Sequence, residues 1–169
     1  MSVRARTVAA AVAALLLCAF VLITYVRYSS VHVNNVHADD FSRKLVDAVN
    51  NGETFDMSEL APFEWDKLIV FYPYTDRAEI ERVVGREWTT HSYFGYWLVD
   101  RTWLGRYPLD DDSWNKLVLM NGEQVVLDVT ISRRDVDATR LPQVVMRDNA
   151  RFAVDGRALV GVTGDAGAP

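Results

Sequence analysis

Five groups of residues have types and spacings that bear on chemistry. His91 stands between Thr90 and Ser92. An imidazole works as a general base only when a second group orients it, so a pocket bringing His91 within hydrogen-bond reach of a carboxylate would revive an enzyme reading. Without one, His91 reads as a surface or hydrogen-bonded residue. Glu64-Trp65-Asp66 sets two acids beside an indole, which can raise a carboxyl pKa. With no second placed group that is not a mechanism, and Asp66 is expected to hydrogen-bond a turn at a strand entrance. His32 and His37, followed by Asp39-Asp40, offer metal-ligand atoms without an established ligand spacing, and are read as solvated linker histidines. Asp110-Asp111-Asp112 resembles part of a calcium loop but has no following glycine or bidentate glutamate, and is read as a solvated turn. The single cysteine, Cys18, lies in an apolar run, so no intrachain disulfide forms and no thiol serves the rest of the chain.

There is no phosphate-cradling glycine loop, nucleophile elbow, His-Glu-x-x-His or Cys/His zinc pattern. The sequence therefore predicts no catalytic residue, no cofactor and no metal site. Of 19 aromatic residues, 14 fall between Phe55 and Trp114. Rings at that density either build a core or stack on flat ligands such as sugars. The candidate binding residues are Trp65, Asp66, Tyr72 and Tyr74, at the flanks of the densest apolar stretch beyond the N-terminus, residues 63–74.

Charge narrows the partners. Residues 31–169 hold 15 basic and 23 acidic residues, a net charge of −8, with no basic stripe. Nucleic acid is excluded as a partner because phosphate neutralisation needs clustered Lys and Arg. Residues 7–26 carry no formal charge and, at 1.5 Å per residue, span about 30 Å, the hydrocarbon thickness of a bilayer. Arg4 and Arg6 before the run place the N-terminus in the cytoplasm, and Tyr25, Arg27 and Tyr28 sit where interfacial anchors belong. Two alternatives are weighed. A cleaved signal peptide would have a shorter apolar core, and Val36-His37-Ala38 is distant for a cleavage site. Lipidation of Cys18 is opposed by Leu17 before it. The expected organisation is a cytoplasmic N-terminus and anchor (1–30), a linker (31–38), one extracytoplasmic domain (39–162) and a disordered tail (163–169).

The elements that must position these residues follow from periodicity. Asp40 can cap a helix to about residue 50, with Gly52 as its stop, burying Phe41, Leu45, Ala48 and Val49. Residues 51–62 read as loop. Residues 67–72 hold Leu68, Ile69, Val70 and Phe71 in continuous order, suiting a strand buried on both faces, and Pro73 ends it. Asp76 with Glu79 resembles a capping box for a helix to about residue 84, closed by Gly85. Residues 92–99, rich in Tyr, Phe and Trp, are predicted as a strand, and 105–113 as a turn. Asn121-Gly122 marks a hairpin between 114–120 and 123–132. Its register stays open: a two-residue loop pairs Val118 with Val125, a three-residue loop Leu119 with Val125. Residues 135–149 read as irregular, and Asp155-Gly156 as the turn of a shorter hairpin.

Residues 56–88, running Phe63-Glu64-Trp65-Asp66 through Pro73-Tyr74-Thr75 to a helix ending in Gly85, resemble a family of small uncharacterised bacterial membrane-anchored or exported proteins. The resemblance covers about residues 40–132 and implies no activity. More loosely, the order of elements is similar to that of small outer-membrane assembly lipoproteins, without their lipidation motif. The expected fold is α+β: an N-terminal transmembrane helix, then an antiparallel sheet of four or five strands packed against two helices. The expected function is a non-catalytic protein-binding or envelope-assembly module outside the membrane, with an envelope protein as partner. The alternative is small-ligand or glycan binding through a Trp/Tyr-rich sheet surface.

Overall fold

The computed structural model describes residues 3–102 and 109–162. The predicted tail, 163–169, and residues 105–108 of the predicted 105–113 turn lie outside them. The chain is α+β. Helix α1 (Val3–Val31) contains an apolar stretch, Ala10–Val31, long enough to cross a bilayer, and its described side chains are almost all exposed.

Helix α2 (Ala38–Asn51) starts three residues earlier than expected. His37 is its cap residue, and Asp39 and Asp40 occupy the first turn, where carboxylates complement the helix dipole. Phe41, Leu45 and Val49 are buried, and Gly52 closes the helix at φ 67°, a left-handed conformation that favours glycine. Between α2 and the next strand, the predicted loop contains strand β1 (Phe55–Asp56) and helix α3 (Met57–Leu60). Asp56 caps α3 through its carboxylate. Strand β2 (Lys67–Phe71) and helix α4 (Arg77–Val84) match the sequence reading, with Asp76 accepting from Glu79 N at 2.7 Å and Gly85 at φ 84°.

The four-stranded antiparallel sheet has the order β4-β3-β2-β5, formed by β2, β3 (Trp114–Asn121), β4 (Gln124–Ser132) and β5 (Val144–Met146). A separate three-stranded sheet joins β1, β6 (Arg151–Asp155) and β7 (Ala158–Gly161), with the turn at Gly156. Residues 135–149, read as irregular, thus supply β5. That strand pairs with β2 and makes β2 internal, as its unbroken apolar run requires.

The β3–β4 register matches neither alternative. Met120 pairs with Val125, then the register shifts so that Leu119 pairs with Leu127. Val126 is the extra residue of a β-bulge, which changes the side-chain alternation. Val125 joins one apolar cluster, with Ile69, Phe71, Ile80 and Trp88. Leu127, Val129 and Ile131 join the main core on the other face, under α2 and the small sheet. Without the extra residue, Val125 and Leu127 would share a face. Buried Asn115 ties β3 to the segment beyond β4, donating to Ile131 O and Val136 O and accepting from Ala138 N at 2.7 Å.

The predicted strand at 92–99 is helical. Helix α5 (Tyr93–Gly95) leads directly into a π-helical turn, Tyr96–Asp100. Ser92 caps it by accepting from Gly95 N at 3.3 Å, and its aromatic side chains pack on α1 rather than in a sheet. Tertiary packing here overrides the strand preference of aromatic residues.

Candidate functional site

On the sheet face away from the main core, the outer ends of β3 and β4, helix α4 and residues 88–102 enclose a cavity of about 540 Å³. One wall is the sheet. Lys116 of β3 and Asp128 of β4 form an ion pair, and each side chain is only 10% exposed. Trp88 donates its indole N–H to the other carboxylate oxygen of Asp128 at 2.8 Å, so both oxygens are engaged. Thr130, next but one along β4, also lines the cavity.

The linker, expected to be solvated, fixes this wall from outside. The Asn35 side chain donates to Asp128 O at 2.6 Å and accepts from Asp128 N at 3.0 Å, supplying the outer edge of β4 with the pairing a further strand would give. Val33 N donates to Thr89 O and Thr89 N to Val31 O, both at 2.9 Å, which clamps residues 88–89 to the end of α1. His32 packs its ring on Tyr28, and His37 stacks on Phe63. The two histidines serve different contacts. Among the described residues no group of three or more His, Cys, Asp or Glu side chains is placed to hold a metal ion.

The opposite wall is organised by Asp100, whose side chain is 8% exposed. Its Oδ1 lies 3.0 Å from His91 Nδ1 and 3.1 Å from the Arg77 guanidinium. Its Oδ2 accepts from Thr89 Oγ1, and that hydroxyl in turn accepts from His91 N at 3.0 Å. Arg77 also pairs with Glu81 at 2.8 Å. Burial alone would lower the Arg77 pKa, but Glu81 and Asp100 outweigh it and hold the guanidinium above its ordinary value. His91 is half exposed at the cavity edge, and with Nδ1 on Asp100 its Nε2 is the nitrogen open to a ligand. Among the described residues, the wall carries two fixed cations, Arg77 and Lys116, against three carboxylates, Glu81, Asp100 and Asp128. That balance disfavours an anionic ligand and suits a neutral or cationic polar one.

The four candidate binding residues fall outside this cavity. Trp65 is buried, donates to Ala61 O at 3.2 Å, and has the Arg147 guanidinium 5.3 Å from its ring. Asp66 accepts from Gly122 N at 2.8 Å and so tethers the hairpin turn, as expected of a residue at the strand entrance. Tyr72 donates to Leu141 O at 2.6 Å. Tyr74 is exposed, with a positive φ of 66°. These four do not converge. Tyr25 and Tyr28 of α1 cluster with Tyr93 and Tyr96, and among the described residues Trp88 is the one Phe, Tyr or Trp side chain lining the cavity. In the Asp110-Asp111-Asp112 turn, Asp111 accepts from Ser113 N at 2.7 Å, a local contact.

Comparison with protein-family models, curated proteins and solved structures gave no significant match.

Proposed function

We propose that this chain is a single-pass membrane protein, N-terminus in the cytoplasm, whose extracytoplasmic domain is a non-catalytic binding module for a small neutral or cationic polar ligand. Retention of α1 is supported by how it is built into the domain. Thr24 Oγ1 lies 2.7 Å from Tyr93 OH, and Arg27 faces Glu87 at 4.0 Å. Tyr28 packs on Tyr93 and Tyr96. A cleaved leader would take these contacts with it.

The observation that carries the binding reading is the cavity itself. It has the volume of a small-molecule site, an apolar floor at Ile80 and Trp88, and polar groups locked by mutual pairing. Such a site needs little reordering on binding and recognises hydroxyl or amine groups by hydrogen bonding. Of the two expectations from sequence, ligand binding has a concave site to support it, and it replaces the Trp/Tyr sheet surface with this cavity. The test is a thermal-shift screen of the full chain in nanodiscs against neutral, cationic and anionic small polar molecules, including sugars and amino sugars. A ligand at a hundred times its Kd stabilises by about 2.7 kcal/mol. A saturable shift from neutral or cationic members is expected, and a flat response across the panel would sink the reading.

A second reading, proton-transfer chemistry in the same cavity, is favoured by the His91–Asp100 pair. Asp100 orients the imidazole and leaves Nε2 to exchange a proton with a bound ligand. Under this reading His91→Ala abolishes turnover and keeps affinity. Under the binding reading neither protein forms product.

A further inference from the structure

Beyond α1, three of the large exposed apolar side chains fall within one short stretch: Phe94 at 75%, Leu98 at 57% and Val99 at 37% exposed. Phe94 and Leu98 are four residues apart on a continuous helical segment, so they share a face. The neighbours of that segment fix its height relative to α1. The Tyr93 hydroxyl meets Thr24 Oγ1 at 2.7 Å, and Thr24 precedes Arg27 by about 4–5 Å of helix rise. Tyr25 and Tyr28 contact the Tyr93 ring at 6.1 and 5.5 Å. On the domain side, Glu87 receives Tyr96 OH and Arg101, each at 3.0 Å, and faces Arg27 at 4.0 Å. The segment is therefore flanked by tyrosines and arginines, the residue types of a bilayer's headgroup zone, while its own tip is apolar.

We infer that residues 93–99 form a second membrane contact, seating the domain on the outer leaflet with Phe94 and Leu98 in the acyl-chain boundary. The inference rests on the reading of α1 as a retained span. If Arg27 lies at the headgroups, a residue bonded to Thr24 lies at or below them, and Phe94 beside it has lipid as its surroundings. Burying that face removes an apolar patch from water, the driving force for interfacial helices. Arg27 and Arg101 share one carboxylate, Glu87, leaving a net positive belt toward lipid phosphates. Because His91 adjoins this segment and Val99 belongs to it, the seat also places the cavity's edge at the membrane surface.

The test uses the full chain with Cys18→Ala, carrying single cysteines at Leu22→Cys, Phe94→Cys, Leu98→Cys or Asp155→Cys, each labelled with bimane in nanodiscs. Brominated phosphatidylcholine serves as the lipid quencher and iodide as the aqueous one. The expected result is loss of most fluorescence to bromolipid at positions 22, 94 and 98, with position 155 quenched by iodide alone. Quenching by bromolipid at 22 but only by iodide at 94 and 98 would overturn the seat and leave the span standing. No lipid quenching at 22 would overturn the span and the seat together. Shielding of 94 from both quenchers would place a second copy of the chain on the patch, and would likewise overturn the proposal.

Discussion

The carboxylate of Asp100 holds the imidazole of His91, Oδ1 to Nδ1, at 3.0 Å, and this pair closes one end of the cavity. The same carboxylate receives Arg77 and Thr89. Asp100 is nearly buried whereas His91 is half exposed, so the two contribute differently. Asp100→Ala leaves three donors without their acceptor, and is expected to lower stability by about 2–3 kcal/mol. His91→Ala should cost less than about 1 kcal/mol, as an exposed pair does. Urea unfolding of the full chain in micelles measures both.

The Lys116–Asp128 pair forms the sheet wall, and each side chain is 10% exposed. Replacing one partner strands the other charge in a low-dielectric site, at a cost of about 3–5 kcal/mol. Lys116→Met should therefore be strongly destabilising. The double variant Lys116→Met/Asp128→Leu should cost less than the sum of the two single changes. A double-mutant cycle in urea unfolding reads the coupling directly.

Deleting Val126 tests the bulge. With the extra residue gone, Val125 and Leu127 must share a face, so one leaves its cluster or β4 slips in register. A loss of several kcal/mol or failure to fold is expected on the order of core disruption. Val126→Thr keeps the bulge and should cost under about 1.5 kcal/mol. Equal, small effects of the two changes would contradict the assigned register.

This bulge also shows how far the sequence could be read. Asn121-Gly122 located the turn, but alternating apolar residues at 125, 127, 129 and 131 give no sign that one of them faces the other way. Local signals were strong where a cap and a stop flank a short element. Asp76 and Gly85 bound α4 on chemistry that needs no tertiary partner. The site was illegible for the opposite reason. A strand over 92–99 would separate His91 from Asp100 by about 30 Å. The helical turn that brings them together is selected by packing on α1, sixty residues earlier, which periodicity cannot show. Strand β5 was likewise invisible, being three residues long in a charged segment.

Acid should weaken the fold through carboxylates stabilised in the native state. Burial tends to raise the Asp137 pKa, but hydrogen bonds from Arg133 and Thr139 outweigh it and hold it below the ordinary 3.8. At Asp56 the Ser58 hydroxyl and backbone N–H lower it likewise. A lowered folded pKa contributes stability that is full above the unfolded value and is lost as pH falls through the folded one. The urea midpoint should therefore hold between pH 7 and about pH 5 and drop below about pH 4 as far as these two groups set it. Asp137→Asn should be less stable at pH 7 and show a shallower acid loss.

Ligand occupancy of the cavity is the central property of the proposed binding module. The most direct measurement is a titration of the full chain in nanodiscs with neutral and amine-bearing sugars, read by isothermal calorimetry and compared with Thr130→Phe, which fills the cavity from β4. The predicted result is a saturable change in the wild type that disappears in Thr130→Phe while the unfolding midpoint is retained. Saturation with equal affinity in both proteins, or none in the wild type, would contradict it.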